Sequence, residues 1–147
     1  MRQTAECTLW LGAEDEEMLW WNSRRLKAVN PKVRARAIAS LGRSLHPTAL
    51  QLLLASLQDR DSSIRAIAAA NLARSRVQGR DQLVRDALAH SLRDQDAEVR
   101  VAAVRSLGEL GWKPASRTDL ALCAVASRHW EGLATLGTEG LAWIIHE

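Results

Sequence analysis

The sequence predicts an all-α fold, a short right-handed α-solenoid in which antiparallel helix pairs stack side by side. The first observation is a recurring segment. It reads DAEVRVAAVRSLGEL from Asp96, DSSIRAIAAANLARS from Asp61 and NPKVRARAIASLGRS from Asn30. The second observation is its spacing, because these starts lie 31 and 35 residues apart. Repeats of this length indicate stacked units rather than one central core.

Each copy is predicted to form the first helix of its unit. Asn30, Asp61 and Asp96 can accept hydrogen bonds from the free amides of a first helical turn. Pro31 suits that turn because its missing N–H costs nothing there. Apolar residues then recur at helical spacing. The copies share a β-branched residue followed eight positions later by leucine: Val33 and Leu41, Ile64 and Leu72, Val99 and Leu107.

Second helices are predicted between the copies, over residues 47–57 and 82–92. Each is followed by a polar turn that contains aspartate and leads into the next copy. Gly42 and Gly108 directly follow the last leucine of their copies, where a left-handed helix cap is expected. Gly79 marks a longer turn in the middle unit. The repeating unit is therefore predicted as helix, turn, helix and a polar turn.

The N-terminal part is predicted to be a cap followed by an incomplete repeat. Residues 1–12 are expected to form the cap, with a short helix around residues 9–11. Residues 14–29 align with the second helices of the later units, although Asn22 falls opposite Leu53. Trp20 and Trp21 are adjacent in this helix, so one of them is expected to lie in the core.

The repeat pattern is interrupted after Gly111 by Trp112 and Pro114. A short helix is predicted from Thr118 to Ser127, with another over residues 129–136. Thr138 is expected to cap a final helix at the end of the sequence. Its apolar residues either pack back as a cap or form an exposed patch for self-association. These residues are Leu141, Trp143, Ile144 and Ile145.

The pattern D-x-x-(V/I)-R-x-x-A-x-x-x-L-(G/A) at Asp61 and Asp96, with a weaker copy at Asn30, resembles HEAT repeats. The spacing near 31 resembles the short HEAT-like variety first named from phycobilisome lyases. The segment from Gly111 resembles a Trp-Lys-Pro insert found between repeats in bacterial arrays. The resemblance implies a HEAT/armadillo-like superhelix forming one domain over residues 1–147. Its parts are a cap with a partial repeat (1–29), repeats 30–60, 61–95 and 96–137, and a terminal partial repeat (138–147).

The resemblance also implies a role for the motif aspartates and arginines. In HEAT-like proteins these side chains usually bond between adjacent repeats. That role is a structural ladder, and an anion-binding role stays open as the alternative. The residues that match the motif are Arg34, Asp61, Arg65, Asp96 and Arg100.

Composition and motifs argue against an enzyme. The 147 residues, 47% of them apolar, suffice for one ordinary domain. They include no apolar run long enough for a membrane helix and no secretory signal pattern. Cys7 and Cys123 are far apart, which favours a reducing cytoplasm. The histidines lack metal-ligand spacing, and no phosphate-binding loop or nucleophile motif occurs. We therefore expect no catalytic residues, no cofactor and no metal.

The net charge of +3 is unevenly distributed. Residues 24–43 contain seven Lys or Arg and no acid, and residues 14–17 just before them are all acidic. Helix electrostatics explain this order, since acids favour a helix start and bases favour its end. The alternative is nucleic-acid binding, in which the bases meet phosphates and Trp20 and Trp21 stack on nucleobases.

The resemblance places the partner-binding surface on the second helices, which line the concave side of HEAT-like stacks. Offsets of 31 and 35 align exposed rows on these helices, with Trp20 as the expected anchor. The predicted function is a non-catalytic scaffold that binds another protein there. Nucleic-acid binding is the alternative, and a bilin-lyase-like or chromophore-handling role is a remote one. The candidate partner-binding residues are Trp20, Arg24, Lys27, Gln51, Gln58, Asp86, His90 and Arg93.

Overall fold

The chain folds as a succession of α-helices. The computed structural model describes residues 3–75 and 79–127, with side chains from residue 15 onward. No strand occurs within these ranges, which confirms the predicted all-α class. The helices predicted over residues 129–136 and from Thr138 lie outside them. The described helices are α1 (Gln3–Leu26), α2 (Pro31–Leu41), α3 (Pro47–Ser56), α4 (Ser62–Leu72), α5 (Asp81–Ser91), α6 (Ala97–Glu109) and α7 (Arg117–Ser127).

The helices pack mainly against their neighbours along a stack. The first helices of the units contact one another in succession, α2 with α4 and α4 with α6, and the α4–α6 contact is the most extensive. Each second helix, α1, α3 and α5, packs mainly on the first helix that follows it. The Ser106 hydroxyl donates to the Ala69 carbonyl at 2.9 Å, which shows how closely α6 approaches α4. Stability therefore depends on nearest-neighbour contacts.

The interior follows the leucine register of the repeats. Ile64 and Val99 are buried, whereas Val33 in the first unit is only partly buried. Full burial of such a side chain contributes about 1.5–3 kcal/mol. Alanines between the large residues let the first helices approach closely. The fully buried leucines include Leu41, Leu53, Leu72, Leu88 and Leu92.

Three helices begin at the predicted caps. Asn30, Asp61 and Asp96 each accept a bond from the backbone N–H two residues later, at 2.9, 3.0 and 2.8 Å. Pro31 occupies the first turn of α2 as predicted. The cap of α3 was not predicted: His46 accepts the N–H of Thr48 through Nδ1 at 3.2 Å.

The glycines differ from their predicted roles. Gly42 has right-handed backbone angles (φ −63°), and Gly108 lies inside α6, so the expectation of left-handed caps there is wrong. The left-handed residues are instead Gly111 (φ 63°), which follows α6, and Gly79 (φ 74°), which lies in the predicted turn. At Gly108 the difference arises because α6 has 13 residues against 11 in α2, so that its end lies past this glycine.

The N-terminal segment forms one long helix rather than a cap and a separate short helix. α1 runs without a break from Gln3 to Leu26. Leu19 and Asn22 provide its buried edge. Trp20 and Trp21 are 50% and 52% exposed, so the expectation that one of them lies in the core is wrong.

Asn22 occupies a core position that leucine fills in the later units. It is buried, and its amide donates to the Ser40 hydroxyl at 3.2 Å. The same amide lies 2.9 Å from the Met18 sulfur. These partners satisfy the Nδ2 group of Asn22, whereas its Oδ1 is buried without a hydrogen-bond partner among the described residues. The predicted alignment of Asn22 with Leu53 therefore matches the packing.

The last described helix, α7, begins at Arg117, one residue before the predicted Thr118. The Ser116 hydroxyl accepts the N–H of Asp119 at 3.0 Å. α7 packs on α6. None of the helices in the described ranges is long and apolar enough to cross a membrane.

Candidate functional site

The repeat arginines bind the turn that precedes their own helix. Each Nη1 donates to a carbonyl six residues earlier: Arg34 to Ala28, Arg65 to Asp59 and Arg100 to Asp94, at 2.8, 2.9 and 2.8 Å. The bond recurs because each arginine follows its helix start at the same position. It fixes the polar turn against the first turn of the helix.

Two of these arginines also bind the next polar turn along the stack. Arg34 Nη2 donates to Asp59 Oδ1 at 3.1 Å, and its Nε lies 3.0 Å from Oδ2. Arg65 holds Asp94 by two hydrogen bonds, from Nε at 2.7 Å and from Nη2 at 2.8 Å, whereas the contact of Arg34 Nε with Asp59 lacks hydrogen-bond geometry. Such charge-assisted pairs are the strong class of hydrogen bond. We call Arg34, Asp59, Arg65, Asp94 and Arg100 the arginine ladder.

Asp61 makes the predicted ion pair with Arg34, at 3.6 Å, but Asp59 and Asp94, which were not predicted, bind the ladder arginines more closely. Asp59 accepts a hydrogen bond from Arg34 Nη2 at 3.1 Å. Asp96 caps α6 and accepts a bond from the Ser62 hydroxyl, which lowers its pKa. The two turns share the motif D-x-D, in which the first aspartate binds arginine and the second caps the helix. This shared motif is the feature of the sequence that could have identified Asp59 and Asp94 as the partners of the arginines.

Electrostatics support the structural role of the ladder. The hydrogen bonds from Arg65 hold the pKa of Asp94 below its usual value, and the same pair raises the pKa of Arg65. A hydrogen bond from the Ser63 hydroxyl likewise lowers the pKa of Asp61. Arg34 is only 3% exposed, so its guanidinium is engaged inside the stack. The ladder joins successive turns along one edge.

The predicted partner-binding residues all lie exposed on the second helices and the turns after them. We call this surface the second-helix face. The leucines predicted to point inward, among them Leu57 and Leu92, are buried as expected. The face consists of Trp20, Arg24 and Lys27 from α1 and its following turn, Gln51 and Gln58 from α3 and its turn, and Asp86, His90 and Arg93 from α5 and its turn.

Three of these residues line one groove. Gln58, His90 and Arg93 border a depression of about 430 Å³ between the ends of α3 and α5. Asp59 and Asp94 also line it, but their carboxylates are bound by ladder arginines. Arg93 is 47% exposed and lies 3.6 Å from Asp119, too far for a strong pair. The groove thus presents the partly free guanidinium of Arg93 beside two carboxylates, Asp59 and Asp94, whose charges are neutralised by ladder arginines.

The N-terminal end of the face is aromatic and basic. The Arg24 guanidinium lies 4.5 Å from the centre of the Trp20 ring, a cation–π contact. Trp21 meets Trp20 edge-on, with ring centres 4.9 Å apart. Lys27 follows Arg24 on the same exposed edge. This end lies apart from the groove, so the face offers two separate contact areas.

The remaining candidates are more ordinary. Asp86 accepts a bond from Gln82 at 2.8 Å within α5. Burial raises the pKa of the Cys123 thiol, with a smaller effect from Asp119, so this thiol stays protonated at neutral pH. Cys7 lies outside the described side chains. Within residues 15–75 and 79–127, no cluster of three metal-ligating side chains was found.

These features define an α-solenoid repeat protein, whose successive helix pairs are joined by a ladder of charged bonds. The family model for HEAT repeats matches residues 23–108, more than half of the sequence. The chain therefore belongs to the HEAT-repeat family. A comparison with curated proteins finds no match. The family match ends before Trp112, so the resemblance to a Trp-Lys-Pro insert stays a prediction, as does the lyase-type variety.

HEAT repeats generally mediate protein–protein interactions and are typically non-catalytic. Their motif residues build the stack itself, as the arginine ladder does here. The residues between the motifs are not needed for the ladder and are free to serve other roles. In this chain the exposed residues between the motifs include the second-helix face.

Proposed function

We propose that the protein is a non-catalytic interaction module that binds another protein on the second-helix face. The observation that supports this most is the exposed Trp20, half accessible and stacked by Arg24. Tryptophan and arginine dominate the energetics of protein interfaces when a partner covers them. A half-exposed indole is costly to leave in water, so its burial favours complex formation.

The groove at the other end of the face supports a polar contact. Its acids are already paired with Arg34 and Arg65, so they do not repel an incoming carboxylate. Arg93 and His90 stand at its border. An acidic side chain of the partner would meet Arg93 there, while Gln58 supplies donor and acceptor groups. The proposed partner therefore combines an apolar contact near Trp20 with acidic groups along the face.

The test is a quantitative pull-down from the native host with the triple variant Arg24→Glu, Lys27→Glu and Arg93→Glu. These side chains are exposed, so the fold should persist, as circular dichroism would check. We expect loss of the captured partner, because each reversal places like charges together across the interface. Once the partner is identified, its affinity for the variant should fall at least about tenfold.

The matched control reverses Lys32, Arg36 and Arg105, which are equally exposed but lie on the first helices. It changes the net charge by the same amount and should keep the partner. Equal losses in both variants would contradict a site on the second-helix face. The nucleic-acid alternative predicts binding in a gel-shift assay that weakens steeply with salt, and such binding without any protein partner would replace our proposal.

A further inference from the structure

One flank of α1 differs from the same flank of the later second helices. Trp21 and Arg25 stand at the positions that Leu52 and Ser56 occupy in α3, 31 residues later. Ser56 is buried and donates to the Leu52 carbonyl at 2.8 Å, and Leu52 is partly buried. The same row in α5 consists of Ala87, partly buried, and Ser91, buried.

The row is covered in α3 and α5, and both helices contact helices that come before them in the chain: α3 contacts α1 and α2, and α5 contacts α4. A unit precedes both helices, whereas none precedes α1 among the described residues. If this flank faced the following unit, α1 would have it covered as well. Instead, Trp21 is 52% exposed and Arg25 is exposed. This flank of α1 is a stacking surface without a neighbour within the described part of the chain.

The exposed flank has a symmetric charge pattern. Glu17, Trp21 and Arg25 follow one another at four-residue intervals on α1, and all three are exposed. The carboxylate and the guanidinium are therefore about 12 Å apart along the axis, with the indole midway. The neighbouring stripe repeats the order acid, indole, guanidinium with Glu16, Trp20 and Arg24. In the described structure, neither Glu17 nor Arg25 has an ion pair.

We propose that this flank pairs with the same flank of a second copy of the chain, with the two α1 helices antiparallel. A two-fold axis through the Trp21 position places Glu17 of each copy opposite Arg25 of the other, and the two Trp21 indoles meet at the centre. Isologous contacts of this kind require a self-complementary surface. The acid–indole–guanidinium order meets that requirement, whereas a parallel arrangement would align like charges.

The expected dimer is weak. One helix edge covers less than the roughly 1,600 Å² of a stable interface. We therefore expect a dissociation constant on the order of 10–100 µM, weakened by salt because its ion pairs are exposed. This inference goes beyond the proposed function because it requires only the purified chain. Its central residues, Glu17, Trp21 and Arg25, are outside the set that tests partner binding.

The test is sedimentation equilibrium of the full chain at low salt. Chain concentrations from about 10 µM to about 1 mM bracket the dissociation constant expected for such a weak interface. We expect dimer formation in the native chain. The single variants Glu17→Arg and Arg25→Glu each place like charges together, and each should weaken the dimer about tenfold or more. The double variant restores opposite charges across the axis and should recover the dimer.

A mixture of the two single variants provides the sharpest control. Each substituted side chain then faces an opposite charge on the other copy, so the mixture should associate more strongly than either variant alone. The exposed controls Arg36→Glu and Glu109→Arg carry equal charge changes elsewhere and should leave the dimer unchanged. A native chain that stays monomeric, or an association that ignores the reversals at Glu17 and Arg25, would overturn the proposal. Either result leaves the partner pull-down unaffected.

Discussion

The carboxylate of Asp94 is the clearest single-residue test of the arginine ladder. Replacing Asp94 with Asn keeps an oxygen for the backbone N–H of Asp96, bound at 2.9 Å, but removes the charge that Arg65 holds. We expect the free energy of unfolding to fall by about 1–3 kcal/mol. Urea unfolding would measure it. Asp119→Asn, which affects only a 3.6 Å contact with the exposed Arg93, should cost less than about 0.5 kcal/mol.

The same substitution should change how stability depends on pH. Arg65 lowers the pKa of Asp94 from its usual value of 3.8, so the pair stabilises the fold fully above that pH. The contribution is lost as pH falls through the lower pKa of the folded state. The difference between the native chain and Asp94→Asn should therefore shrink on acidification below about pH 4. A difference that is constant with pH would contradict an ionic role.

Sequence reasoning at this scale found the arginines and the ion pair of Arg34 with Asp61, but not the acids that bind the arginines most closely. Arg34, Arg65 and Arg100 recur at one register, so their shared role was visible in the pattern. The acids were harder, because Asp59 and Asp61 are two residues apart and either can face an arginine. The three-dimensional path of the turn decides between them. The backbone N–H of Asp61 binds Asp59 at 2.9 Å, which orients the first carboxylate toward Arg34.

At the scale of elements, the contact between α2 and α4 depends on one glycine. A Cβ added at Gly42 would lie 2.5 Å from the Asn71 Oδ1 and 2.9 Å from its Cβ. Asn71 cannot rotate away freely, since its amide donates to the Ile67 carbonyl at 2.8 Å. Gly42→Ala should therefore lower the free energy of unfolding by about 1–3 kcal/mol.

Gly108 is the matched control, because it occupies the equivalent position after Leu107. A Cβ there meets nothing within 4 Å, and the residue lies inside α6. Gly108→Ala should stabilise the chain by about 0.5–1 kcal/mol in the same unfolding assay. The cost of Gly42→Ala should be much smaller in a chain that carries Asn71→Gly, because this second change removes both the Oδ1 and the Cβ that the new methyl group would meet. A cost that persists would place its cause elsewhere.

The helices show that apolar periodicity in the sequence predicts secondary structure better than it predicts which helix flank is covered. Helices α2, α4 and α6 follow from their caps and apolar spacing, which are local and repeated, and α3 and α5 follow without a predicted side-chain cap. Trp21 was misjudged because a local pattern does not show whether a neighbouring helix covers a flank; the Trp20 row is exposed in all three second helices, as predicted. The Trp21 row is covered in α3 and open in α1. Whether such a row of side chains is exposed therefore depends on where its helix lies along the stack.

For the molecule as a whole, the fold was predictable and the partner was not. The repeat motifs build the stack, so they determine the fold class and the family. The exposed residues between them are free of that constraint, and their chemistry defines surfaces rather than a ligand. The residues of the second-helix face were predicted as rows of equivalent positions on successive second helices. The groove at Gln58, His90 and Arg93 appears only when the turns after α3 and α5 are brought together.

A stack held by nearest-neighbour contacts should open from its ends. α4 is covered by α2 on one side and by α6 on the other, whereas α7 contacts α6 and the flank of α1 at Trp21 is open. We therefore expect amide hydrogen exchange to be slowest in α4 and α6 and faster in α1 and α7. Mass spectrometry of peptides after exchange would measure this gradient at concentrations below dimer formation. Equal protection of all described helices would mean that the chain opens only as one cooperative unit. At higher concentration the proposed dimer should slow exchange in α1 selectively, since only that helix gains a neighbour, and Arg25→Glu should remove this effect while leaving α4 unchanged.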